Sequence, residues 1–518
     1  LLMSYAARED APMEVREAAV GAALFTLRQM CLGGLRDHVG GGFHRYATDA
    51  KWELPHFEKM LYDNALLLGN LLMAADIAQE MQPAWAQLYL EAANGIIAWL
   101  HTEMRTPEGL FAAALDADSE GEEGKYYTWT EAELRELLGE RYEAFGKAYQ
   151  VDPEGNFLDE ATRERTGANH LRLLEEVGGS FGPELEVLRT ARAKRERPGL
   201  DYKGLVGWNG LVIGALAEAG VIGSAEETAR AILSAEQALG GLPHQVTSGK
   251  AIGDALLEDY AYVIDGFLRL AQARQFFSAH AEALPNLPVA THDWAAEARR
   301  LLDVAIASFY DSERGGFFAT PVGHEDLFGR TKPAFDQPTP SANALLVAAL
   351  LAFGDVERAS QTIGYFLGLM ERAPGATEAL LLAAMPLLPE AVAGEEAPAI
   401  RPAGEVSVSF GPREARAESD GWGAFELRFE IPEGVHLNGN RPAARWLIPT
   451  TASVEPLEAS IAWPSEEQYI GTVTIPVRLR LPEGSGGEEF QIDVRFQACT
   501  ESECQEPVER RFGGVLVR

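Results

Sequence analysis

Between Gly40 and Leu68 the chain reads GGGFHRYATDAKWELPHFEKMLYDNALLL, a glycine turn and a dense group of polar side chains ahead of an apolar run. Pro55 suits the first turn of a helix. From there His56, Lys59 and Asp63 recur at three-, four- and seven-residue spacings, which predicts a base, a cation and an acid on one helical stripe. Phe57, Met60, Leu61 and Leu68 would then face the core. A histidine near neutral pKa moves protons, carboxylates accept hydroxyl hydrogen bonds, and aromatic faces cover the apolar side of a sugar ring. His44, Arg45 and Glu58 belong to the same group, and the set suits a polyol. A hydrogen-bonded helix start packed under a loop explains any one of these residues, but it explains the group poorly.

Other polar residues stand at comparable places, just before apolar helical runs. They are Asp116, Asp118, Asp201, Lys203, Trp208, Asn209, Asp259, Tyr260, Ser341 and Asn343. Acid–base chemistry on a glycosidic bond needs carboxylates whose pKa values differ, so Asp116, Asp118 and Asp259 join His56 as catalytic candidates. His44, Arg45, Glu58, Lys59, Asp63, Asp201, Lys203, Asn209, Ser341 and Asn343 are read as substrate-binding, with Trp208 and Tyr260 as stacking platforms. The ALDADSEGEEG run that holds Asp116 and Asp118 equally fits a loop of Asx turns. His44, His56 and a nearby Asp lack HExxH or similarly tight ligand spacing, so neither a metal nor a cofactor is expected.

These residues must be positioned by a repeated architecture. Glycine turns recur at Gly41-Gly42-Phe43, Gly109-Leu110-Phe111, Gly240-Gly241-Leu242 and Gly315-Gly316-Phe317. Nearly apolar helices open at Asp63-Asn64-Ala65, Trp208-Asn209-Gly210, Asp259-Tyr260-Ala261 and Ser341-Ala342-Asn343-Ala344. Amphipathic helices at Met13–Leu32, Ala84–Glu103, Ala225–Ala238, Trp294–Phe309 and Val356–Leu369 alternate with them. Inner apolar and outer amphipathic helices joined by glycine turns predict a mainly α fold, an (α/α)6 toroid of helical hairpins. LLMSYAA reads as the tail of a helix whose beginning is absent, so a fragment lacking the first barrel helix is expected. Residues 125 to 200, beginning with a Tyr126–Trp129 strand, exceed the repeat spacing and are assigned to an insertion.

The helical pattern stops in the alanine-, glutamate- and proline-rich run near Pro389–Pro402, which gives a barrel at 1–390, a linker at 391–404 and a second domain at 405–518. In the last, alternation at Val406–Phe410, Phe425–Phe429, Val473–Leu481 and Phe490–Phe496 predicts a β-sandwich. Cys499 and Cys504 lie near the end with four residues between them; a bridge across so short a loop constrains little chain entropy, so both a static staple and a redox pair are open. Cys31 fits a buried small apolar residue. The net charge of −34 opposes nucleic acid and anionic membrane surfaces as partners. No apolar run approaches the roughly 18 residues that span a bilayer, so a soluble, acidic protein is expected. The compartment stays open, with the cytoplasm as default and the cell envelope if an upstream segment carries a signal.

The motifs GGGFHRY, WELPHFEKMLYDNA, ALDADSEGEEGKYYTW, DYKGLVGWNGL, LEDYAYVIDG and PSAN resemble the thioredoxin-fused barrel family related to bacterial YyaL, over residues 1 to about 390. That resemblance implies a six-hairpin glycosidase-like (α/α)6 barrel akin to N-acylglucosamine 2-epimerases, preceded by a thioredoxin-like domain that this sequence does not contain. Residues 405–518 resemble the N-terminal immunoglobulin-like domain of the thiol:disulfide interchange protein DsbD, through GVHLNGNRPAARWLIPT, GTVTIPVRLRLP and FQACTESECQEPVERRF. This implies that Cys499 and Cys504 form a redox disulfide, with a thioredoxin-like partner as electron source. Two functions are therefore expected. One is a sugar-binding or sugar-processing barrel, hydrolase- or epimerase-like, fused to a thiol–disulfide exchange domain. The other is a redox protein whose barrel is a non-catalytic scaffold or client-recognition surface.

Overall fold

Helices that are apolar all round must be enclosed, and those with one apolar stripe must cover them. The sequence sorts accordingly. In the computed structural model, which describes residues 1–8, 11–158, 165–173, 181–280, 292–323, 329–387, 406–432, 435–440, 449–466, 468–482, 484–499 and 508–518, the chain divides into two compact units, Leu1–Glu390 and Ala391–Arg518. The linker assigned to 391–404 falls outside the described residues.

The first unit holds α1 (Leu2–Ala6), α2 (Met13–Leu32), α3 (Leu61–Met81), α4 (Pro83–Trp99), α5 (Glu131–Leu138), α6 (Tyr142–Ala148), α7 (Gly182–Arg192), α8 (Val206–Glu218), α9 (Ile222–Leu239), α10 (Leu257–Ala279), α11 (Trp294–Phe309), α12 (Ala342–Ala352), α13 (Val356–Arg372) and α14 (Glu378–Ala384). Helices α3, α8, α10, α12 and α14 pack side by side in that order. Outside them, α4 covers α3, α9 covers α8, α11 covers α10 and α13 covers α12, while α2 packs on α3 and α4. One continuous apolar core joins both layers. Within it α8 and α10 touch backbone to backbone: a Cβ on Gly210 would sit 2.4 Å from the Tyr262 carbonyl oxygen, so only glycine fits. No helix among the described residues is long and apolar enough to cross a membrane.

Three inner helices are fixed to the preceding glycine turn by the same device. The Asn64 side chain accepts from Phe43 N (2.7 Å) and donates to the Phe43 and Met60 carbonyls (3.0 Å each). Asn209 does the same for Phe111 (2.7 and 3.0 Å) and Leu205 (2.9 Å). Asn343 repeats it for Phe317 (2.7 and 3.0 Å) and Pro333 (2.8 Å). Each amide satisfies both polar groups of a buried backbone residue and one carbonyl at the helix start, and all three are completely buried.

The segment before α3 differs from the sequence expectation. Residues Pro55–His56 and Lys59–Met60 are strands, and the helix begins only at Leu61, so His56, Lys59 and Asp63 share no helical stripe. Tertiary pairing takes these residues: Tyr46–Ala47 pairs with Pro55–His56, and Lys59–Met60 joins a three-stranded sheet with Ala114–Leu115 and Leu200–Asp201. The expected Tyr126–Trp129 strand is also corrected. Tyr127 N and Thr128 N both donate to the Gly124 carbonyl, making a turn, and only Trp129–Thr130 is extended, paired with Ala168–Asn169. Tyr126 and Tyr127 are buried with Phe57 and Ala117 instead. Helices α5, α6 and α7 add a small core of their own around Trp129, Leu134, Phe145 and Leu188, which Val39 from the first glycine turn enters.

That turn is tied to α7 by buried charge. The Asp37 carboxylate accepts from Lys59 Nζ (2.7 Å) and from both terminal nitrogens of Arg192 (2.9 Å each), as well as from Val39 N and Gly40 N (3.0 Å each). Lys59 also donates to the Gly41 carbonyl (2.8 Å). Burial alone would raise the Asp37 carboxyl, yet Arg192 and Lys59 hold it well below the usual range. Asp311, Lys332 and the Gly315 carbonyl repeat the Asp37, Lys59 and Gly41 arrangement at 2.7 and 2.6 Å, without an arginine in Arg192's place.

In the second unit, strands 407–411, 422–430, 472–480 and 458–461 form one sheet in that order, and 414–416, 508–517, 487–496 and 451–455 form another. The alternating Phe425, Leu427 and Phe429 of the first meet Phe490, Ile492, Val494 and Phe496 of the second in one core, a two-sheet sandwich. A small third sheet pairs His436–Asn438 with Gln468–Tyr469 and Ala498–Cys499.

Asp37→Ala should lower the unfolding free energy of the first unit by about 3–5 kcal/mol, because it leaves Lys59 and Arg192 buried as two cations without their counter-ion. Asn209→Ala should cost a comparable amount by orphaning two buried backbone groups of Phe111. Urea denaturation followed by far-ultraviolet circular dichroism measures both; a loss below about 1 kcal/mol for either would contradict these roles.

Candidate functional site

The N-terminal ends of α3, α8, α10 and α12 carry a continuous row of polar and aromatic groups. On α3, Tyr62 packs its ring edge against Trp208 of α8, with centroids 4.7 Å apart. Next to Trp208, Gly207 N donates to Asp259 of α10 (3.2 Å). Further along α10, the Tyr262 hydroxyl donates to the Pro340 carbonyl (3.0 Å) and lies 2.9 Å from Thr339 Oγ1, just ahead of α12.

At the α3 end, Arg45 pairs with Glu58 (2.9 Å). Glu58 lies 3.9 Å from His56 Nε2, and His56 Nδ1 meets Glu123 Oε1 at 2.8 Å. A carboxylate only accepts, so Nδ1 carries a proton, and Nε2 is the ring nitrogen turned away from Glu123. Tyr46 stacks on the imidazole at 5.0 Å, and Phe57 N also donates to Glu123 (3.2 Å), so ring and orienting carboxylate are held on both sides. Glu123 arrives through the hairpin that pairs Asp118–Ser119 with Glu122–Glu123.

Asp63, in the first turn of α3, presents a buried Oδ2 that has no hydrogen-bond partner. Burial pushes its carboxyl up to about 7; Arg45 opposes the shift and Glu58 adds to it. An acid poised there donates and accepts protons near neutral pH.

The remaining sequence candidates separate clearly. Lys59 is 1% exposed, and its contacts with Asp37 and Gly41 leave no approach for a substrate. Asn209 and Asn343 spend their amides on backbone, and the buried Ser341 donates to the Pro333 carbonyl at 3.2 Å. Asp259, expected as a catalytic carboxylate, is buried and caps α10, accepting from Leu256 N (2.9 Å) while holding His244 Nδ1 (2.8 Å). His44 is also buried: its Nδ1 donates to the Phe57 carbonyl (2.9 Å), and burial together with Lys59 holds its pKa well below the ordinary histidine value. Asp116 and Asp118 are exposed, with Asp116 Oδ1 accepting from Asp118 N at 3.3 Å in an Asx turn. Asp201 and Lys203 form an exposed ion pair at 3.0 Å. Tyr260 packs against Phe309 at 5.5 Å.

The structure thus brings together His56, Arg45, Glu58, Asp63 and Trp208 from the sequence set and adds Glu123, Tyr46, Tyr62 and Tyr262. Glu123 had no periodic signal, being one of several acids in a turn-like run. Among the described residues no group of three or more His, Cys, Asp or Glu side chains could hold a metal ion.

No family model matches the chain. Human spermatogenesis-associated protein 20 is 32% identical over 379 residues, covering 64% of this chain and 46% of that protein, so the chain spans about half the length of this relative. The relative bears that name rather than the name of the YyaL-related family suggested by the motifs. Among solved structures, a sugar epimerase from a ruminal bacterium aligns over 65% of this chain and 98% of its own at 12% identity, with a TM-score of 0.21. The DsbD N-terminal domain of Neisseria meningitidis aligns over 26% and 95% at 17% identity, with a TM-score of 0.14. Superpositions this loose carry no argument about the chemistry of the chain.

A carboxyl whose pKa is raised on folding binds its proton more tightly in the native state, so its contribution to stability is full below about pH 4 and is lost as pH rises through about 7. Asp63→Asn should therefore leave the melting temperature nearly unchanged at pH 4 and raise it at pH 8. Equal shifts at both pH values would contradict the buried, protonatable Asp63.

Proposed function

We propose that the first unit is an (α/α)6 barrel that binds a saccharide or related polyol across the N-terminal ends of its inner helices and transfers protons on it. The carrying observation is the unpartnered Asp63 Oδ2, which feels the charges of Arg45 and Glu58, with Glu58 in turn 3.9 Å from the Glu123-oriented His56. Asp63 supplies an acid near neutral pH, His56 Nε2 a base, Arg45 a hydroxyl or carboxylate anchor, and the partly exposed Trp208 ring a stacking face. Two proton-handling groups joined through charged neighbours support processing over mere adhesion, as hydrolysis and epimerisation both move protons at a sugar carbon or oxygen. A scaffold that only displays clients has no use for a buried carboxyl oxygen left without a partner.

Calorimetric titration against a panel of mono- and oligosaccharides, combined with hydrolase and epimerase screens, tests this. Trp208→Ala should weaken binding several-fold to about tenfold, since an aromatic stacking contact contributes roughly 0.5–1.5 kcal/mol. Asp63→Asn should abolish turnover while binding stays within a few-fold. Absence of any saccharide binding would overturn the proposal.

For the second unit we propose thiol–disulfide exchange. Cys499 is disulfide-bonded and lies in the short strand Ala498–Cys499, in register with His436, with Asn438 Nδ2 3.8 Å from its sulfur. Cys504 lies outside the described residues. An external dithiol would supply the two electrons and two protons that open the bridge to two thiols. The reduction potential, measured against glutathione, should lie above about −300 mV; a value below that marks a static staple.

A further inference from the structure

Beside Asp259, the rim of the row opens into a cavity of about 210 Å³ between the start of α10 and the loop that leads into α12. Leu256, Glu258, Tyr262, Phe335, Gln337 and Thr339 are among the residues that line it. Pockets for drug-sized ligands run to about 300–1,000 Å³, so this one admits a single small ring or a substituent of a larger ligand. Its loop wall is rigidly placed. Asp336 accepts from Ser341 N (2.8 Å) and Ala379 N (2.9 Å), and its own N–H donates to the Ala376 carbonyl (2.8 Å).

The lining is unusual in its charge. Among the described residues Glu258 enters no ion pair or side-chain hydrogen bond. The cations on flanking elements are already engaged, His244 by Asp259 (2.8 Å) and Lys332 by Asp311 (2.7 Å). Burial and the neighbouring Asp259 raise the Glu258 carboxyl above the ordinary range, with His244 opposing, so a cation bound here would relieve an unfavourable negative charge. The other walls are hydrocarbon and aromatic, with the Tyr262 hydroxyl occupied by Pro340 and Thr339. A carboxylate lacking a cation, facing aromatic side chains, recognises an ammonium group and repels anions. The net charge of −34 favours approach of the same sign of ligand.

We propose that this cavity is an ammonium subsite of the cleft, taking the protonated amine of an amino sugar with Glu258 as counter-ion and Phe335 and Tyr262 as apolar walls. The sugar part of this assignment rests on the polyol reading of the cleft; the ammonium part rests on the cavity alone.

D-Glucosamine and D-glucose differ only by an ammonium or a hydroxyl at one carbon, which makes them the direct probes, with cyclohexylammonium chloride as a cation carrying no polyol. Titrated calorimetrically into the whole chain at pH 6.5 and low salt, glucosamine should bind about tenfold or more tightly than glucose, and Glu258→Gln should bring the two within about twofold. Among the described residues Glu258 has no ion pair or side-chain hydrogen bond to lose, so the variant should melt no lower than the wild type. Equal affinities for the two sugars, or a glucosamine preference that survives Glu258→Gln, would overturn the subsite while leaving the polyol reading intact. Binding of cyclohexylammonium that is lost in Glu258→Gln, with neither sugar bound, would support the subsite and overturn the polyol reading. Failure of both cations to bind would overturn the subsite.

Discussion

The three-way contact of Asp37, Lys59 and Arg192 is the constraint on which the α3 side of the first unit depends. Three formal charges are taken out of water around one carboxylate, and removing Asp37 strands both cations, whereas removing either cation leaves the other paired. One carboxylate thereby joins the glycine turn at Gly40–Gly42, the strand Lys59–Met60 and the end of α7. Glu58 directly precedes Lys59, and Asp63 lies just beyond the strand in the first turn of α3, so the positions of both groups descend from that buried contact. Among the described residues, the repeat of Asp311 with Lys332 has no arginine in the place of Arg192.

The asparagine clamps do for the helices what the charge contact does for the insertion. Asn64, Asn209 and Asn343 set the heights of α3, α8 and α12 relative to their glycine turns, and backbone contact at Gly210 fixes α8 against α10. The side chains at those helix ends are the ones proposed above to bind the saccharide. The residue just before each asparagine is Asp63, Trp208 or Ala342, so the scaffold repeats while the chemistry it carries does not.

This division explains what was legible in the sequence. Long periodic segments were: α2, α11 and the start of α13 fall where their amphipathic spacing puts them, and the alternation from Phe425 and from Phe490 marks the facing strands of the sandwich. The stretch from Pro55 to Met60 was not, because its pairing partners lie at Tyr46 and Ala114 and local spacing carries no trace of them. Lys59 looked like a ligand-binding cation for the same reason, its partner Asp37 being 22 residues away and Arg192, on the same carboxylate, 155 residues from Asp37. Asn209 and Asn343 were misleading in an instructive way. A polar residue present at the same place in several repeats serves the repeat, and the function sits where the repeats differ. Asp63 and Asp259 illustrate how little residue type decides: both stand in a first helical turn, yet Asp259 is consumed by backbone and His244, whereas Asp63 keeps an oxygen unpartnered.

The cleft along the inner-helix ends can be probed directly through the indole of Trp208, one of nine tryptophans in the chain. Nitrogen-15 indole spectra, assigned with Trp208→Phe, should show one resonance moving saturably as a bound saccharide is added, while the buried Trp99 and Trp129 stay still. A saccharide that binds while leaving the Trp208 resonance unmoved would place its site elsewhere and contradict the cleft.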